Sequence, residues 1–232
     1  SDTSYAGHLA QDTAFAAWAK RNLKPHREPG YAIAFLSLKA RGVAPGDVTH
    51  EQMDAIAELA EQYSFGELRD THNQNLVLTD VKQADLYPLW QRLSELGLAT
   101  PNIGLLTDVI CCPGLDFCSL SNASSIAVAE EIFDRFESLD YQHDIGDIKL
   151  NMSGCMNGCG HHSVGHIGIL GVDKKGEEWY QITLGGSSEN NASLGDRTGP
   201  SVDRESIADA VQTIIETYLE QRHDESEGFL AC

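Results

Sequence analysis

Four of the six cysteines in this chain form two closely spaced pairs. Cys112 and Cys118 stand in the segment CCPGLDFC, Cys155 and Cys159 stand in SGCMNGCG, and 36 residues separate the two pairs. Four thiolates supplied by two loops are suitable ligands for a metal ion or an iron–sulfur cluster. Neither spacing is the C-x2-C pattern typical of zinc sites. The pattern therefore indicates a metal or iron–sulfur site, and we call residues 112–118 and 155–159 the first and second clip.

The sequence around the second clip resembles a known family. MSGCMNGCGHHSVGHIGILG is similar to the signature of the sirohaem-containing sulfite and nitrite reductases, and GLATPNIGLLTDVICCPGLDFCSLSNA resembles their bacterial sulfite reductase haemoproteins. This resemblance covers most of residues 30–220. It implies that Cys112, Cys118, Cys155 and Cys159 hold a [4Fe–4S] cluster. It also implies that Cys159 is shared with the iron of sirohaem.

The resemblance implies further cofactor-binding residues. LRDTHNQNLVL, residues 68–78, is similar to an arginine-plus-NQN strand of the family, which points to Arg69, Asn73, Gln74 and Asn75. Their alternative interpretation is hydrogen bonding at the edge of a strand. Asn157, between the last two cysteines, is implied to hydrogen-bond near the cluster or macrocycle; its alternative role is a turn residue that tolerates positive φ.

The histidines after the second clip are a weaker signal. His161 and His162 follow Cys159 directly, but four thiolates already satisfy a cluster. We therefore expect them to pair with sirohaem carboxylates or with backbone groups.

The activity implied by the resemblance is the reduction of sulfite to sulfide by an oxidoreductase with coupled sirohaem and [4Fe–4S] cofactors. Nitrite reduction is the alternative within the family. A non-catalytic iron–sulfur electron-transfer module and a structural zinc protein are alternatives from other classes. The electron donor would be a flavoprotein or a ferredoxin, and the acidity of the chain makes docking of an acidic ferredoxin less attractive.

Composition favours a cytoplasmic protein without a membrane segment. Apolar residues make up 41% of the 232 residues, and no apolar run approaches the length of a membrane span. The first residues lack the basic start and apolar run of a signal peptide. Cysteines in such a chain point to metal ligation rather than disulfides. Of the two remaining, Cys111 is expected to be a buried structural thiol and Cys232 to be mobile.

The charge of the chain conflicts with the implied ligands. The net charge of −19 makes nucleic acid an unlikely partner. Sirohaem is a polycarboxylate, and sulfite and nitrite are anions, so their pocket needs cationic side chains. Between residues 93 and 148 the only Lys or Arg is Arg135. Seven of the sixteen bases are clustered early in the chain, at Lys20, Arg21, Lys24, Arg27, Lys39, Arg41 and Arg69.

This shortage of bases predicts an incomplete site. The resemblance is to the C-terminal repeat of a two-repeat family, in which arginines and lysines of the other repeat line the substrate face. We expect a missing N-terminal half, or a second chain, to complete the pocket. The alternative interpretation of the bases in residues 20–41 is a solvated face.

The pattern of residues 1–98 predicts a ferredoxin-like α+β half-domain. A helix is expected over 13–23 and a strand over 31–39, with Tyr31, Ile33 and Phe35 on one face and smaller residues on the other. Thr49 to Gln52 forms a capping-box pattern that begins a helix with Met53, Ile56, Ala60 and Tyr63 in one stripe. Residues 66–80 are expected to be extended, and another helix ends near Gly97.

Residues 99–232 are predicted to form an α/β sirohaem and iron–sulfur binding domain after a linker at 99–104. Strands over 105–111 and 147–153 should deliver Cys112 and Cys155. A helix is expected between them, and further strands over 166–172 and 179–184. Residues 184–201 are predicted to be a long polar loop, followed by a closing helix and a tail.

Overall fold

Two separate apolar cores form along the chain, because the helical stripes of each half face a sheet of the same half. The computed structural model describes residues 3–232, apart from the side chains of residues 139 and 140. It divides into two compact units, with the boundary between Ile103 and Gly104. The sequence placed this boundary after residue 98. The predicted α+β class is confirmed.

The first unit combines four helices with a four-stranded antiparallel sheet in the order β1-β2-β4-β3. Its elements are α1 (Thr3–Gln11), α2 (Thr13–Asn22), β1 (Leu23–Pro25), β2 (Tyr31–Leu36), α3 (His50–Tyr63), β3 (Arg69–Asp70), β4 (Leu76–Lys82) and α4 (Leu86–Glu95). The sequence predicted α2, β2, α3 and α4, but α1 and the short β1 were missed. Short edge strands carry too few residues to show an alternating pattern.

Helix α3 begins at the capping pattern that the sequence indicated. The capping box of α3 is confirmed, since the side chain of Thr49 accepts from the backbone of Gln52 while the Gln52 side chain accepts from the backbone of Thr49. The buried stripe of α3 runs through Ile56, Leu59 and Ala60. Met53 is 59% exposed, so its predicted place in that stripe is wrong. It stands one turn before the part of the helix that the sheet covers.

Strand β2 buries its small side chains most deeply. Ala32 and Ala34 are buried in the core, whereas Tyr31, Ile33 and Phe35 are half-buried. The fully buried rings of Phe15 and Trp18 belong to the same core as the alanines. Small residues on this face leave room for large aromatic ones, so residue size alone does not identify the core face.

A buried lysine organises the turn between β3 and β4. The ammonium of Lys39 donates to the carbonyl oxygens of Asn73 at 2.7 Å and Gln74 at 3.2 Å, and Lys39 is 2% exposed. Asn75 Oδ1 accepts from the backbone N–H of Leu38 at 3.1 Å. The prediction of continuous extended structure over 66–80 is wrong at residues 66–68, which precede β3 and include Gly66 at a φ of +75°, and at residues 71–75, where the chain turns and Gln74 adopts a φ of +56°.

The second unit is a five-stranded mixed sheet in the order β5-β6-β7-β8-β9. The pairs β5·β6 and β6·β7 are parallel, and β7·β8 and β8·β9 are antiparallel. Its elements are β5 (Ile110–Cys111), α5 (Ile126–Arg135), α6 (Leu139–Ile145), β6 (Leu150–Ser153), β7 (Ile167–Lys174), β8 (Glu177–Leu184), β9 (Asp196–Asp203) and α7 (Ile207–Gln221). The strands expected before each clip are present but shorter, and α6 was missed.

The predicted polar loop over 184–201 is wrong in its last part, where β9 begins at Asp196. Residues 196–200 are exposed, and the strand contains Pro200. This strand lies at the edge of the sheet and pairs only with β8. An edge strand with little burial lacks the apolar alternation by which strands are recognised, and proline is tolerated there.

The two cysteines outside the clips differ in environment. Cys111 is 3% exposed and lies in the core of the second unit, so its prediction as a buried thiol is confirmed. Cys232 is exposed. Within residues 3–232, no helix combines the length and the apolar character needed to cross a bilayer.

Replacing Lys39 with methionine should destabilise the first unit by about 1–3 kcal/mol, because the buried carbonyls of Asn73 and Gln74 would lose their donor. Urea unfolding followed by tryptophan fluorescence measures this loss. Lys24→Met is the control, since Lys24 is an exposed residue of β1. Equal unfolding midpoints for the two variants would contradict the structural role of Lys39.

Candidate functional site

The two clips begin at the same edge of the second sheet. Strands β5 and β6 are parallel neighbours in which Cys111 lies opposite Met152. Cys112 follows β5 directly, and Cys155 comes two residues after the end of β6. The carboxyl ends of adjacent parallel strands open into a common crevice, so the topology brings the clips together.

A backbone amide joins the clips directly. The N–H of Gly154, just before the second clip, donates to the Sγ atom of Cys112 at 3.0 Å. The N–H of Cys112 donates to the carbonyl of Met152 at 3.2 Å, which continues the ladder between β5 and β6. Hydrogen bonds to cysteine sulfurs are common around iron–sulfur clusters, where they help to set the reduction potential.

A short segment after the first clip, residues 121–125, contacts both clips; we call it the bridge segment. The N–H groups of Asn122 and Ala123 donate to the carbonyl of Gly154 at 2.9 and 3.1 Å. The carbonyl of Ala123 accepts from the N–H of Leu115 in the first clip at 3.2 Å. The Oγ atom of the buried Ser125 lies 3.6 Å from Cys112 Sγ. The bridge segment therefore fixes the clips relative to each other.

The close contact of the clips requires glycine at two positions. A Cβ atom on Gly154 would lie 2.2 Å from Ser121 Oγ and 2.7 Å from the carbonyl oxygen of Ala123. Gly114 has a φ of +59°, and a Cβ atom there would lie 2.5 Å from the N atom of Ser125. Any larger residue would push the bridge segment away from the clips.

The four clip cysteines are free thiols with graded exposure. Cys155 is buried, Cys112 and Cys118 are half-buried, and Cys159 is exposed. In the described part of the chain, no group of three or more His, Cys, Asp or Glu side chains is placed to hold a single metal ion. Free thiols on two facing loops, with an amide directed at one sulfur, fit a cluster of several iron atoms, whose ligands surround a larger volume.

Both clips expose large apolar side chains. Phe117 is 79% and Met156 is 85% exposed, and Leu115 and Leu120 are also exposed. Exposed apolar residues that cluster on one functional element indicate a surface that another molecule covers.

The turn of the second clip differs from one interpretation of the sequence. Gly158 carries the positive φ of +69°, whereas Asn157 is an exposed residue without it, so the alternative role of Asn157 as a turn residue with positive φ is wrong. Its predicted hydrogen bond near the cofactor stays a prediction. His161 adopts a φ of +52° and is exposed. His162 Nδ1 is buried without a hydrogen-bond partner, and burial lowers the pKa of this histidine.

The site residues that the sequence indicated in the first unit lie on β3 and the turn that follows it. Arg69 is exposed, and its guanidinium donates to Glu67 at 2.9 Å. Asn73 and Gln74 present their carbonyls to Lys39, and the side-chain oxygen of Asn75 is buried against Leu38. The backbone carbonyls of Asn73 and Gln74 and the side-chain amide of Asn75 therefore hold a turn.

Two of the bases that the sequence analysis singled out are engaged in the fold. Lys39 is buried beneath the turn at residues 73–75, which removes it from a solvent-facing anion pocket. Arg135, the only Lys or Arg between residues 93 and 148, forms ion pairs with Glu131 and Asp209. The structure therefore leaves fewer bases available for an anionic ligand than the sequence alone indicated.

Sequence reasoning missed the residues that support the clips. Glu178 on β8 accepts from the N–H of Ser124 at 2.7 Å and from Tyr180 Oη at 2.9 Å. Burial would raise the pKa of Glu178, but the hydrogen bonds from Ser124 and Tyr180 hold it below its ordinary value. The sequence feature that could have identified Glu178 is the alternation of β8, which puts Glu178 on the same face as Tyr180.

Comparison with known proteins gives matches over both units. Residues 34–96 match the model of the nitrite/sulfite reductase ferredoxin-like half domain, and residues 105–228 match that of the nitrite and sulphite reductase 4Fe–4S domain. The ferredoxin-like part of the predicted fold is confirmed by the first match.

Among individual proteins, sulfite reductase [ferredoxin] 1 of Mycolicibacterium paratuberculosis is 31% identical over 199 residues, which cover 81% of this chain and 36% of that protein. Ferredoxin–nitrite reductase of Synechococcus elongatus is 29% identical over 85% of this chain and 39% of its own length. The solved structure of the Mycobacterium tuberculosis NirA protein superposes with a TM-score of 0.72 at 25% identity, over 90% of this chain and 39% of that one. The chain thus spans between a third and two fifths of these relatives.

Replacing Gly154 with alanine should separate the clips, because the new methyl group would collide with the bridge segment. We expect a loss of about 1–3 kcal/mol in unfolding free energy, as for other overpacked sites, together with loss of bound iron. Urea unfolding and iron content measure the two effects.

Gly228→Ala is the matched control in the same unit, since a Cβ atom at Gly228 meets nothing within 4 Å. If Gly154→Ala retained the stability and iron content of Gly228→Ala, the close contact of the clips would not be required.

Proposed function

The chain belongs to the nitrite and sulfite reductase family, and from this membership we propose that it is the cluster- and sirohaem-binding part of an enzyme that reduces sulfite to sulfide. The family implies a [4Fe–4S] cluster and sirohaem as cofactors. Reduction of nitrite is the alternative, since relatives named for either substrate match at about 30% identity.

The observation that carries this proposal is the meeting of the two clips. The contact from Gly154 N–H to Cys112 Sγ at 3.0 Å places loops with four free cysteines side by side. In the proposed assignment Cys112, Cys118, Cys155 and Cys159 ligate the cluster. The amide of Gly154 and the hydroxyl of Ser125 would then stabilise negative charge on the sulfur of Cys112.

The exposure of the thiols supports a distinct role for Cys159. It is the exposed member of the four, whereas Cys155 is buried. A thiolate shared between the cluster and a second cofactor must face outward, so we assign the shared ligand to Cys159. The exposed Phe117 and Met156 would lie against the flat macrocycle and exclude water from it.

The cofactor pair would supply the electrons and the binding position for the anion. The residues of this chain would hold the cofactors, exclude water and set the charge around them. Asn157 is exposed in the second clip and is proposed to hydrogen-bond at the cofactor edge. Arg69 is exposed in the first unit and is proposed as a carboxylate partner in exchange for Glu67.

The net charge of −19 supports the proposal that a further polypeptide completes the site. A polycarboxylate macrocycle and an anionic substrate require several cations, and both Lys39 and Arg135 are engaged internally. We propose that a homologous half, or a second chain, supplies the missing bases. A ferredoxin or a flavoprotein would supply the electrons.

Replacing the clip cysteines with serine tests the assignment. Cys112→Ser and Cys155→Ser should each lose cluster iron, and Cys159→Ser should in addition disturb the sirohaem absorption bands more than Cys112→Ser does. Cys232→Ser is the control, as this cysteine lies outside both clips.

The measurements are iron and sulfide content and the absorption spectrum of the reconstituted chain. An unchanged iron content in Cys155→Ser would contradict the assignment of the cluster ligands. A cluster spectrum without sirohaem bands in the unsubstituted chain would favour the electron-transfer module, and zinc in place of iron would favour a structural zinc protein.

Assays with a reduced viologen should show little or no turnover of sulfite or nitrite by the purified, cofactor-loaded monomer of these 232 residues. The reason is the shortage of cations for an anionic pocket. Adding the homologous half should restore turnover. Robust turnover by the monomer alone would show that its own bases suffice.

A further inference from the structure

A polar network on β8 reaches the bridge segment. Glu178 Oε2 accepts from the backbone N–H of Ser124 at 2.7 Å, and Glu178 Oε1 accepts from Ser124 Oγ at 3.2 Å. One carboxylate thus receives two hydrogen bonds from a single residue of the bridge segment. Two bonds to one residue fix its orientation as well as its position.

Tyr180 completes the network. Its side chain is fully buried, and its Oη atom lies 2.9 Å from both the carbonyl oxygen of Ser124 and Glu178 Oε2. The phenol can therefore donate its proton to either acceptor. Burial and the hydrogen bond to Glu178 raise the pKa of Tyr180, so that it remains a donor throughout the ordinary pH range.

The next residue along the bridge segment contacts a candidate cluster ligand. Ser125 is fully buried, and its Oγ atom lies 3.6 Å from Cys112 Sγ, the sulfur that also accepts from the Gly154 amide. Ser124 is held by β8 and Ser125 touches the sulfur, so any movement of the first is passed to the second through one peptide unit. Hydrogen bonds to cluster sulfurs help to set the reduction potential of a cluster.

We propose that Glu178, together with Tyr180, is a positioning residue for the iron–sulfur site: it fixes the bridge segment so that the Ser125 hydroxyl stays on the sulfur of Cys112. This inference rests on the proposed ligation of a cluster by Cys112. It extends that proposal because it assigns to β8, which contributes no ligand, control over cluster retention and potential.

Three variants of the reconstituted chain test the proposal. Glu178→Gln keeps the size of the side chain but replaces one acceptor by a donor. Tyr180→Phe removes one hydroxyl and changes no charge. Ser125→Ala removes the hydroxyl next to Cys112. Glu177→Gln is the matched control, because it makes the same charge change at an exposed neighbouring position of β8.

The first measurement is the rate of iron release to a chelator. Glu178→Gln should release iron about 10-fold faster than Glu177→Gln, as is common when residues that orient metal ligands are changed. If Glu178→Gln does not fold, Tyr180→Phe, which preserves the packing of the buried ring, carries this comparison. Release at the control rate by both variants would overturn the proposal.

The second measurement is the midpoint potential of the cluster, which a merely structural role would not change. Ser125→Ala and Tyr180→Phe should both lower it, since a hydrogen bond to sulfur stabilises the reduced cluster. In the double variant the shifts should not add, because both act through one contact. Fully additive shifts, or no shift in Tyr180→Phe, would overturn the positioning role. Failure of the unsubstituted chain to bind a cluster would instead overturn the proposed function.

Discussion

Contact between two loops without intervening side chains is the constraint on which the second unit depends. The amide of Gly154 reaches Cys112 Sγ because neither Gly154 nor Gly114 has a Cβ atom, and the bridge segment fills the space that side chains would occupy. Gly171 on β7 extends the same packing, since a Cβ atom there would lie 2.6 Å from the carbonyl oxygen of Gly154. Most of the contacts that hold the clips together are therefore made by backbone groups, and the exceptions are the sulfur of Cys112 and the hydroxyl of Ser125.

The parallel and the antiparallel strands of the second sheet have different roles. The parallel strands β5 and β6 end together and so present two loops at one edge. The antiparallel strands β7, β8 and β9 provide a longer ladder beside them. Glu178 and Tyr180 connect the two halves through Ser124. A charged hydrogen-bonded group in a partly buried place contributes roughly 1.5–3 kcal/mol, so this connection is substantial beside the stability of a single domain.

The extent to which sequence could predict this structure depends on whether the signal is local. The clips, the capping box of α3 and the strands before each clip are local patterns, and the structure contains them. The turn at residues 71–75 could not be read locally, because its donor, Lys39, comes from a segment more than thirty residues away. Edge strand β9 shows no apolar alternation because neither of its faces is buried. Glu178 could not be predicted as a site residue from local sequence, because its partner Ser124 belongs to a loop 54 residues away.

The supply of free positive charge limits which ligands this chain could neutralise. A lysine buried among carbonyls, as Lys39 is, stabilises a turn but cannot also neutralise a bound anion, because its donors are already used. Arg135 is likewise held by Glu131 and Asp209. A strongly acidic chain that exposes apolar residues around its thiols can bury them against a macrocycle without adding charge, whereas the carboxylates of that macrocycle still require cations from elsewhere. The exposed apolar residues of the clips and the shortage of available bases therefore support the same proposal, in which a further polypeptide covers this surface and supplies the cations that neutralise its ligands.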